Sequence, residues 1–171
     1  MRTKKTIFKI SFCLLIATCL CSCFSLKLAP ITQTTFEKII DAPNVSKNDL
    51  YISVNEWFVK QFTSAKSVIQ FQDKEEGKIV GKYVSELTSC ETMSYYFEST
   101  QIISVDIREN KIRLSITNPC IAYGMKNAYG VRSPLGACVN TATEESQLSM
   151  NRSWENLAHS LEEYVNNSSS W

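Results

Sequence analysis

The sequence predicts an α+β protein: one antiparallel sheet of about five strands with two helices packed on one face, in the order β-α-β-β-β-β-α. Three observations predict it. Apolar residues alternate with polar ones at Ile103, Val105 and Ile107 and again at Ile112, Leu114 and Ile116, the period of paired strands. Two stripes recur at helical spacing, Leu50, Val54, Trp57 and Phe58 early in the domain and Met150, Trp154, Leu157, Leu161 and Val165 at its end. Short turn sequences separate the middle strands, and short turns join antiparallel neighbours.

The chain opens with a leader. MRTKKTIFK carries Arg2, Lys4, Lys5 and Lys9 and no acid, and an apolar run from Ile10 to Leu20 follows. A basic start and about a dozen apolar residues form the pattern of a secretory signal peptide, too short for a comfortable membrane span. A retained signal-anchor helix is the alternative. Leu20-Cys21-Ser22-Cys23 resembles a bacterial lipobox, and Ile16-Ala17-Thr18-Cys19 is a weaker competitor. Residues 1–22 are therefore expected to be a lipoprotein signal peptide, with Cys23 the lipidation site. Cys13, Cys19 and Cys21 serve as small apolar residues of the discarded leader. Their spacing is not that of a structural zinc site. More than one acyl chain gives stable anchoring, so the expected address is the bacterial cell envelope, at the periplasmic face or the cell surface, with the membrane as one partner.

Cleavage before Cys23 leaves 149 residues, enough for one domain with a real core. Four of the 18 basic residues precede Cys23, so the mature part carries 14 basic against 17 acidic residues, a balance of −3. No basic face is implied, and nucleic acid is not an expected partner. Residues 23–33 read as a tether, because Pro30 argues against regular structure there.

The domain, 34–166, begins with TTFEKIID, a strand rich in β-branched and aromatic residues. Ser46 then caps a helix, Asp49 answers it at the third helical position, and Val45 and Leu50 are placed as a hydrophobic staple. That helix is expected to run to about Phe62. A hairpin follows in SVIQFQDKEEGKIVGKYV, residues 67–84. Gly77 supplies a positive φ at its turn, and Gly81 marks a bulge or a close backbone approach. SYYFESTQ is less regular. The second hairpin turns at Arg108-Glu109-Asn110-Lys111, and Pro119, lacking a ladder donor, is expected to end it. Residues 120–141 read as a long loop, the last helix follows, and 167–171 form a tail.

The capped helix with its EWF, followed by SAKSVIQFQDKEEGKIVGK, resembles domain of unknown function 4468. This is a family of exported proteins, mostly from Bacteroidetes-type bacteria, with a TBP-like fold. The resemblance covers roughly residues 34–118 and is most specific at 64–82. It implies a TBP-like fold and export. It implies no activity, because the family has no assigned one, and a TBP-like fold does not carry DNA binding with it.

No stretch presents an active site. His159 is the single histidine and is expected to face solvent, with Glu155 and Glu163 four residues to either side, an ordinary helix pairing. Asp73, Glu75 and Glu76 offer clustered carboxylates but read more simply as a solvated turn. No metal or other cofactor is expected. Cys90, Cys120 and Cys138 remain in the mature domain, where thiols are open to oxidation. A Cys120–Cys138 disulfide would close a loop of about 18 residues, worth roughly 3 kcal/mol in the chain-entropy picture. The alternative is three reduced packing residues. The loop between them carries Tyr123, Met125, Lys126, Tyr129 and Arg132, a composition that suits a binding surface; the alternative is a poorly ordered insertion. The expected function is a lipid-anchored envelope module that binds an envelope protein or glycan without catalysis. The alternatives are an envelope hydrolase using His159 or the Asp73, Glu75 and Glu76 carboxylates, and a structural spacer.

Overall fold

The computed structural model describes residues 27–62, 68–90, 95–127, 129, 131–134 and 138–168. The leader and Cys23 lie outside them. The architecture is the expected one: an antiparallel sheet with two helices on one face. Its spine is formed by β2 (Thr35–Asp41), β3 (Ile69–Asp73), β4 (Lys78–Cys90), β5 (Tyr95–Arg108) and β6 (Lys111–Lys126), in the order β2-β6-β5-β4-β3. Helix α1 (Lys47–Gln61) and helix α2 (Glu144–Ser168) cover one side. A short β7 (Arg132–Pro134) pairs with the end of β6, and β1 (Ala29–Pro30) pairs with β8 (Thr141–Ala142).

Local signals explain the helices. Ser46 is extended at the N-cap of α1, and its hydroxyl oxygen accepts from the Asp49 amide at 3.2 Å while donating to the Asp49 carboxylate at 2.7 Å. The cap thus satisfies a backbone donor that the first turn leaves unpaired, and the acid sits at the positive end of the helix dipole. Ser46→Ala is expected to cost about 1 kcal/mol of unfolding free energy, read from the urea midpoint at unchanged slope. Leu50, Val54, Trp57 and Phe58 are all buried against the sheet. Trp57 packs edge-on to Phe58 with centroids 5.0 Å apart, and its indole N–H donates to Ser160 Oγ at 3.0 Å, tying α1 to α2. On α2 the whole stripe from Met150 to Val165 is buried. His159 faces outward, as its position off that stripe requires.

Gly77 closes the β3–β4 turn at φ +71°, where a side chain is strained, and an added Cβ would stand 2.5 Å from the Ile107 carbonyl oxygen. Gly81 combines the two expected features. The register slips beside it between Ile69 and Phe71, and an added Cβ would stand 3.0 Å from the Phe58 ring.

The structure departs from the sequence expectations at five places. Pro119 does not end the second hairpin, because β6 runs on to Lys126. Thr100 faces Cys120 and Ile102 faces Thr117, so Gln101 opposes the pair Asn118 and Pro119. On the other side of β6, β2 stops at Thr117 and the next pairing is Ile121 with Val139. Pro119 therefore falls at a bulge and in a gap between flanking segments, where the register asks for no N–H. Tyr95–Gln101, all of SYYFESTQ but its first residue, belongs to β5, which fills the opposite side of the extension. Residues 120–141 are consequently not one long loop. Their described residues form the end of β6, a turn at Asn127 and β7, and Val139 pairs beside β6 at Ile121. Pro30, placed in the tether by sequence, lies in β1, where a two-residue edge tolerates it. The last helix absorbs Asn167 and Ser168 from the expected tail.

One buried polar network lies beneath α2. Gln101 is fully buried, and its Oε1 accepts from both the Tyr83 hydroxyl and the Trp154 indole N–H. Its Nε2 donates to Ser99 Oγ at 2.8 Å, and the Ser99 hydroxyl reaches the Met150 sulfur at 3.9 Å. Burial pushes the Tyr83 phenol well above the ordinary tyrosine range. The unfolded chain releases that proton near pH 10 and the folded chain keeps it, so stability contributed by this group is lost as pH rises above about 10. The slope reaches at most about 1.4 kcal/mol per pH unit for the one group. Tyr83→Phe is expected to flatten this alkaline limb, checked by urea midpoints at about pH 9 and pH 11 beside the parent chain.

Candidate binding surfaces

The side of the sheet away from the helices has no covering layer among the described residues. Strand alternation and register assign its members. Ile39 pairs with Arg113, which faces Asp106, which faces Lys78; one step along, Ser115, Ser104 and Val80 form the next row, and Thr117, Ile102 and Lys82 the row after. Phe71 faces Val80 on the edge strand, and Val84 continues the β4 series. Their neighbours in sequence, Ile40, Ile79, Tyr83, Ile103, Val105 and Leu114, point into the core. Ile39 is 64% exposed, and Phe71, Val84 and Ile102 are also exposed. Charges are interleaved with these apolar groups. Asp106 accepts from Arg113 at 2.9 Å and lies 3.8 Å from Lys78 Nζ, while Arg108 and Lys111 flank a shallow depression of about 160 Å³ beside them. Such a face combines aliphatic contact with a donor-rich centre, the composition of a polar recognition surface.

The segment singled out from the sequence projects at one end of this sheet. Lys126 pairs with Arg132 and Gly124 with Pro134. Asn127 holds the turn: its amide donates to the Val131 carbonyl at 3.0 Å, and its side-chain oxygen accepts from the amides of Tyr129 and Val131 at 2.9 Å each. Tyr123 and Met125 are exposed on β6, and Tyr129 at the turn is 92% exposed. The side chains of Lys126 and Arg132, like that of Cys90, lie outside the described ones. Cys120 and Cys138 form a disulfide with Cα atoms 5.1 Å apart, which fastens the returning segment to the middle of β6. Gly124 is required by a close approach, since an added Cβ would meet the Tyr96 ring at 2.5 Å and the Ser133 carbonyl oxygen at 2.6 Å.

The titratable groups named from the sequence are not brought together. His159 Nδ1 lies 3.7 Å from Glu163, an i,i+4 surface pair with both side chains about two-thirds exposed. Asp73 accepts from the Glu76 amide at 2.8 Å and so stabilises its own turn. Sequence reasoning missed an open groove of about 1030 Å³ between α1 and α2. In it Lys60 donates to the Tyr164 hydroxyl at 2.8 Å, and that hydroxyl donates to Glu56 at 2.8 Å. The hydrogen bond with Tyr164 raises the Lys60 pKa. The signal was faint: Glu56 and Lys60 stand four apart on one helix, and Tyr164 is three residues from Leu161 on the other. The arrangement is a surface clasp between helices. Among the described residues no group of three or more His, Cys, Asp or Glu side chains is placed to hold a metal ion. No described helix is long and apolar enough to cross a membrane.

A sheet with both helices on one side and its other side open defines a TBP-like α+β domain. The chain belongs to the family of domains of unknown function with a TBP-like fold, DUF4468, whose family model matches residues 36–121. It is similar in structure to a TBP-like protein from Parabacteroides distasonis, at TM-score 0.56 and 14% identity, over 78% of this chain and 92% of that one. It is also similar to a DUF4468 family protein from Bacteroides ovatus, at TM-score 0.50 and 14% identity, over 80% of this chain and 86% of that one. Identities this low speak to the fold alone. No curated protein matches the chain.

Proposed function

We propose that this chain is a lipid-anchored protein of the bacterial cell envelope whose domain binds another envelope macromolecule, a protein or a glycan, without catalysis. The observation that carries the reading is the uncovered sheet face. Four large apolar side chains, Ile39, Phe71, Val84 and Ile102, stand exposed on it among fixed charges. Phe71, Val84 and Ile102 adjoin one another around the half-buried Val80 on neighbouring strands, while Ile39 lies apart on the opposite edge strand, and adjoining exposed apolar groups mark an interaction site. The anchor part of the reading is supported by the leader and by Cys23 in its lipobox-like setting. The mature balance of −3 sets nucleic acid aside as the partner.

Two measurements test it. Mass spectrometry of membrane-extracted protein is expected to find a diacylglyceryl group on an N-terminal Cys23. A photo-crosslinking residue in place of Ile102 is expected to capture a partner in intact cells that the same probe in place of Val59, exposed on the outer side of α1, does not. Equal capture from the two positions would remove the sheet face from consideration, and an uncleaved Met1 would remove the anchor.

A further inference from the structure

We propose that the β6–β7 hairpin, with the segment entering β1, forms a second and shallow contact with the lipid surface to which the chain is tethered. The proposal deepens the anchored reading above and rests on it for the lipid at Cys23.

The first observation is covalent reach. Ala29 follows Cys23 by six residues, which span at most about 20 Å when fully extended. At Ala29 the chain is already held by the fold. Ala29 and Pro30 pair with Ala142 and Thr141, and the Ile31 amide donates to the Asn140 carbonyl at 3.0 Å. Gln147 on α2 clasps the same segment: its Nε2 donates to the Pro30 carbonyl at 3.2 Å, and its Oε1 accepts from the Thr32 amide at 3.3 Å. A chain anchored at Cys23 therefore holds this end of the domain against the bilayer rather than on a long leash.

The second observation is which end is held. Asn140 adjoins Val139, and Val139 pairs with Ile121 of β6. From Ile121 the strand continues five residues to Lys126, about 17 Å at the usual rise, before it turns into β7. The hairpin thus projects from the end of the fold at which the tether enters. The β3–β4 turn and the Glu109–Asn110 turn lie at the opposite end of the sheet.

The third observation is composition. Tyr123, Met125, Tyr129 and Val131 are exposed on the hairpin, and Leu28 is exposed where the tether joins. Tyrosines with an apolar body and a polar tip, beside Met and Val, have the chemistry of side chains that lodge at the level of lipid headgroups. The basic residues Lys27, Lys126 and Arg132 of these segments are nearly offset by the acids Glu144 and Glu145 that open α2 just after Ala142, so attraction to anionic headgroups is not the main drive of the contact. The apolar side chains supply that drive, and the contact is weakly sensitive to salt.

The test uses the full chain, purified with its native N-terminus and reconstituted in vesicles of phosphatidylethanolamine and phosphatidylglycerol. A benzophenone amino acid replaces Tyr129 in one sample and Phe71, exposed at the far end of the sheet, in another. Lipid adducts are expected at position 129 about tenfold above those at position 71, the ratio given by one decade in contact equilibrium. The excess is expected to persist at high salt and to fall in the Met125→Asp, Val131→Asp double variant. Mass spectrometry of the same samples reads Cys23. Equal adducts at the two positions on a chain carrying lipid at Cys23 overturn the docking contact and leave the anchor standing. A Cys23 without lipid removes the anchor; adducts at position 129 then still support the contact, and their absence overturns it. In intact cells, adducts from position 129 to a protein in place of lipid overturn the proposal in favour of a protein-docking hairpin.

Discussion

Replacing Gln101 with Ala is expected to lower the unfolding free energy by about 4 kcal/mol, the sum of a cavity and two buried donors that lose their shared acceptor. Gln101 Oε1 is the shared acceptor for the Tyr83 hydroxyl and the Trp154 indole, and its Nε2 occupies Ser99. All of these groups are buried, so water does not replace the lost partner cheaply. Gln101→Leu separates the two contributions. It nearly fills the volume but leaves the Trp154 indole without its acceptor and the Tyr83 hydroxyl with only Ser153 as a side-chain partner, so about 2 kcal/mol is expected to be lost. Urea unfolding of the parent and both variants measures the effects, and an Ala variant within 1 kcal/mol of the parent would falsify the account. Adding Tyr83→Phe to Gln101→Leu removes one donor that has lost that acceptor. The double variant is therefore expected to lose less than the sum of its parts, a coupling that a merely additive pair of sites would not show. The network explains why a polar side chain occupies the centre of the sheet. Gln101 is the residue on β5 that opposes two residues of β6, where the ladder is already irregular and side-chain bonds take over its alignment.

Much of the fold was written in periodicity. The alternations from Ile103 to Ile107 and from Ile112 to Ile116, the capped helix after Ser46 and the stripe from Met150 to Val165 all describe one-sided burial, and one-sided burial is what the two layers impose. What escaped the reading lay where a local rule was met by a tertiary solution. Pro119 lacks a donor, yet the place it occupies demands none. Ser99 and Gln101 are in phase with Ile103 and Val105, so the period already assigned them to the core face; their polarity hid it. The pairing of Pro30 with Thr141 joins residues more than a hundred positions apart and has no local signature. The candidate surface was legible in part. Tyr123 and Tyr129 are exposed, as a binding segment needs, but the segment is a pinned hairpin rather than an open loop. The uncovered sheet face was written in the same alternations as the core. Its apolar members Ile39, Val84 and Ile102 fall in the polar phase of their strands, and that irregularity was the signal available.

The same geometry separates three tasks in space. The helices close one side of the sheet and hold its stability. The other side is the one proposed for recognition. The end at which β1 enters is tied to β8 and to Gln147, so a pull on the proposed tether would be shared with α2. Gln147 Nε2 spreads its donation over the carbonyls of Ala29, Pro30 and Ala142, at 3.4, 3.2 and 3.5 Å. Several long bonds of this kind resist fraying better than one short bond at a chain end, because no single break frees the segment.

Removing the disulfide is expected to have the second large effect. The Cys120→Ser, Cys138→Ser double variant, which leaves no unpaired partner thiol, is expected to lose about 3 kcal/mol, the chain-entropy value for an 18-residue loop. The loss is expected to be uneven. The crosslink holds the segment after β7 beside β6, next to the Ile121–Val139 bridge, and through Asn140 it reaches Ile31 and the strap at β1. Amide exchange is therefore expected to quicken first in residues 124–134 and 138–142 and in residues 29–31, while Ile103, Val105 and Leu114 keep the protection set by global unfolding. Reduction of the parent chain by dithiothreitol is expected to reproduce both the stability loss and the exchange pattern. Uniform quickening across β5 and the hairpin alike would show instead that the crosslink acts only on the unfolded ensemble, and the strap would then owe its order to Gln147 and β8 alone.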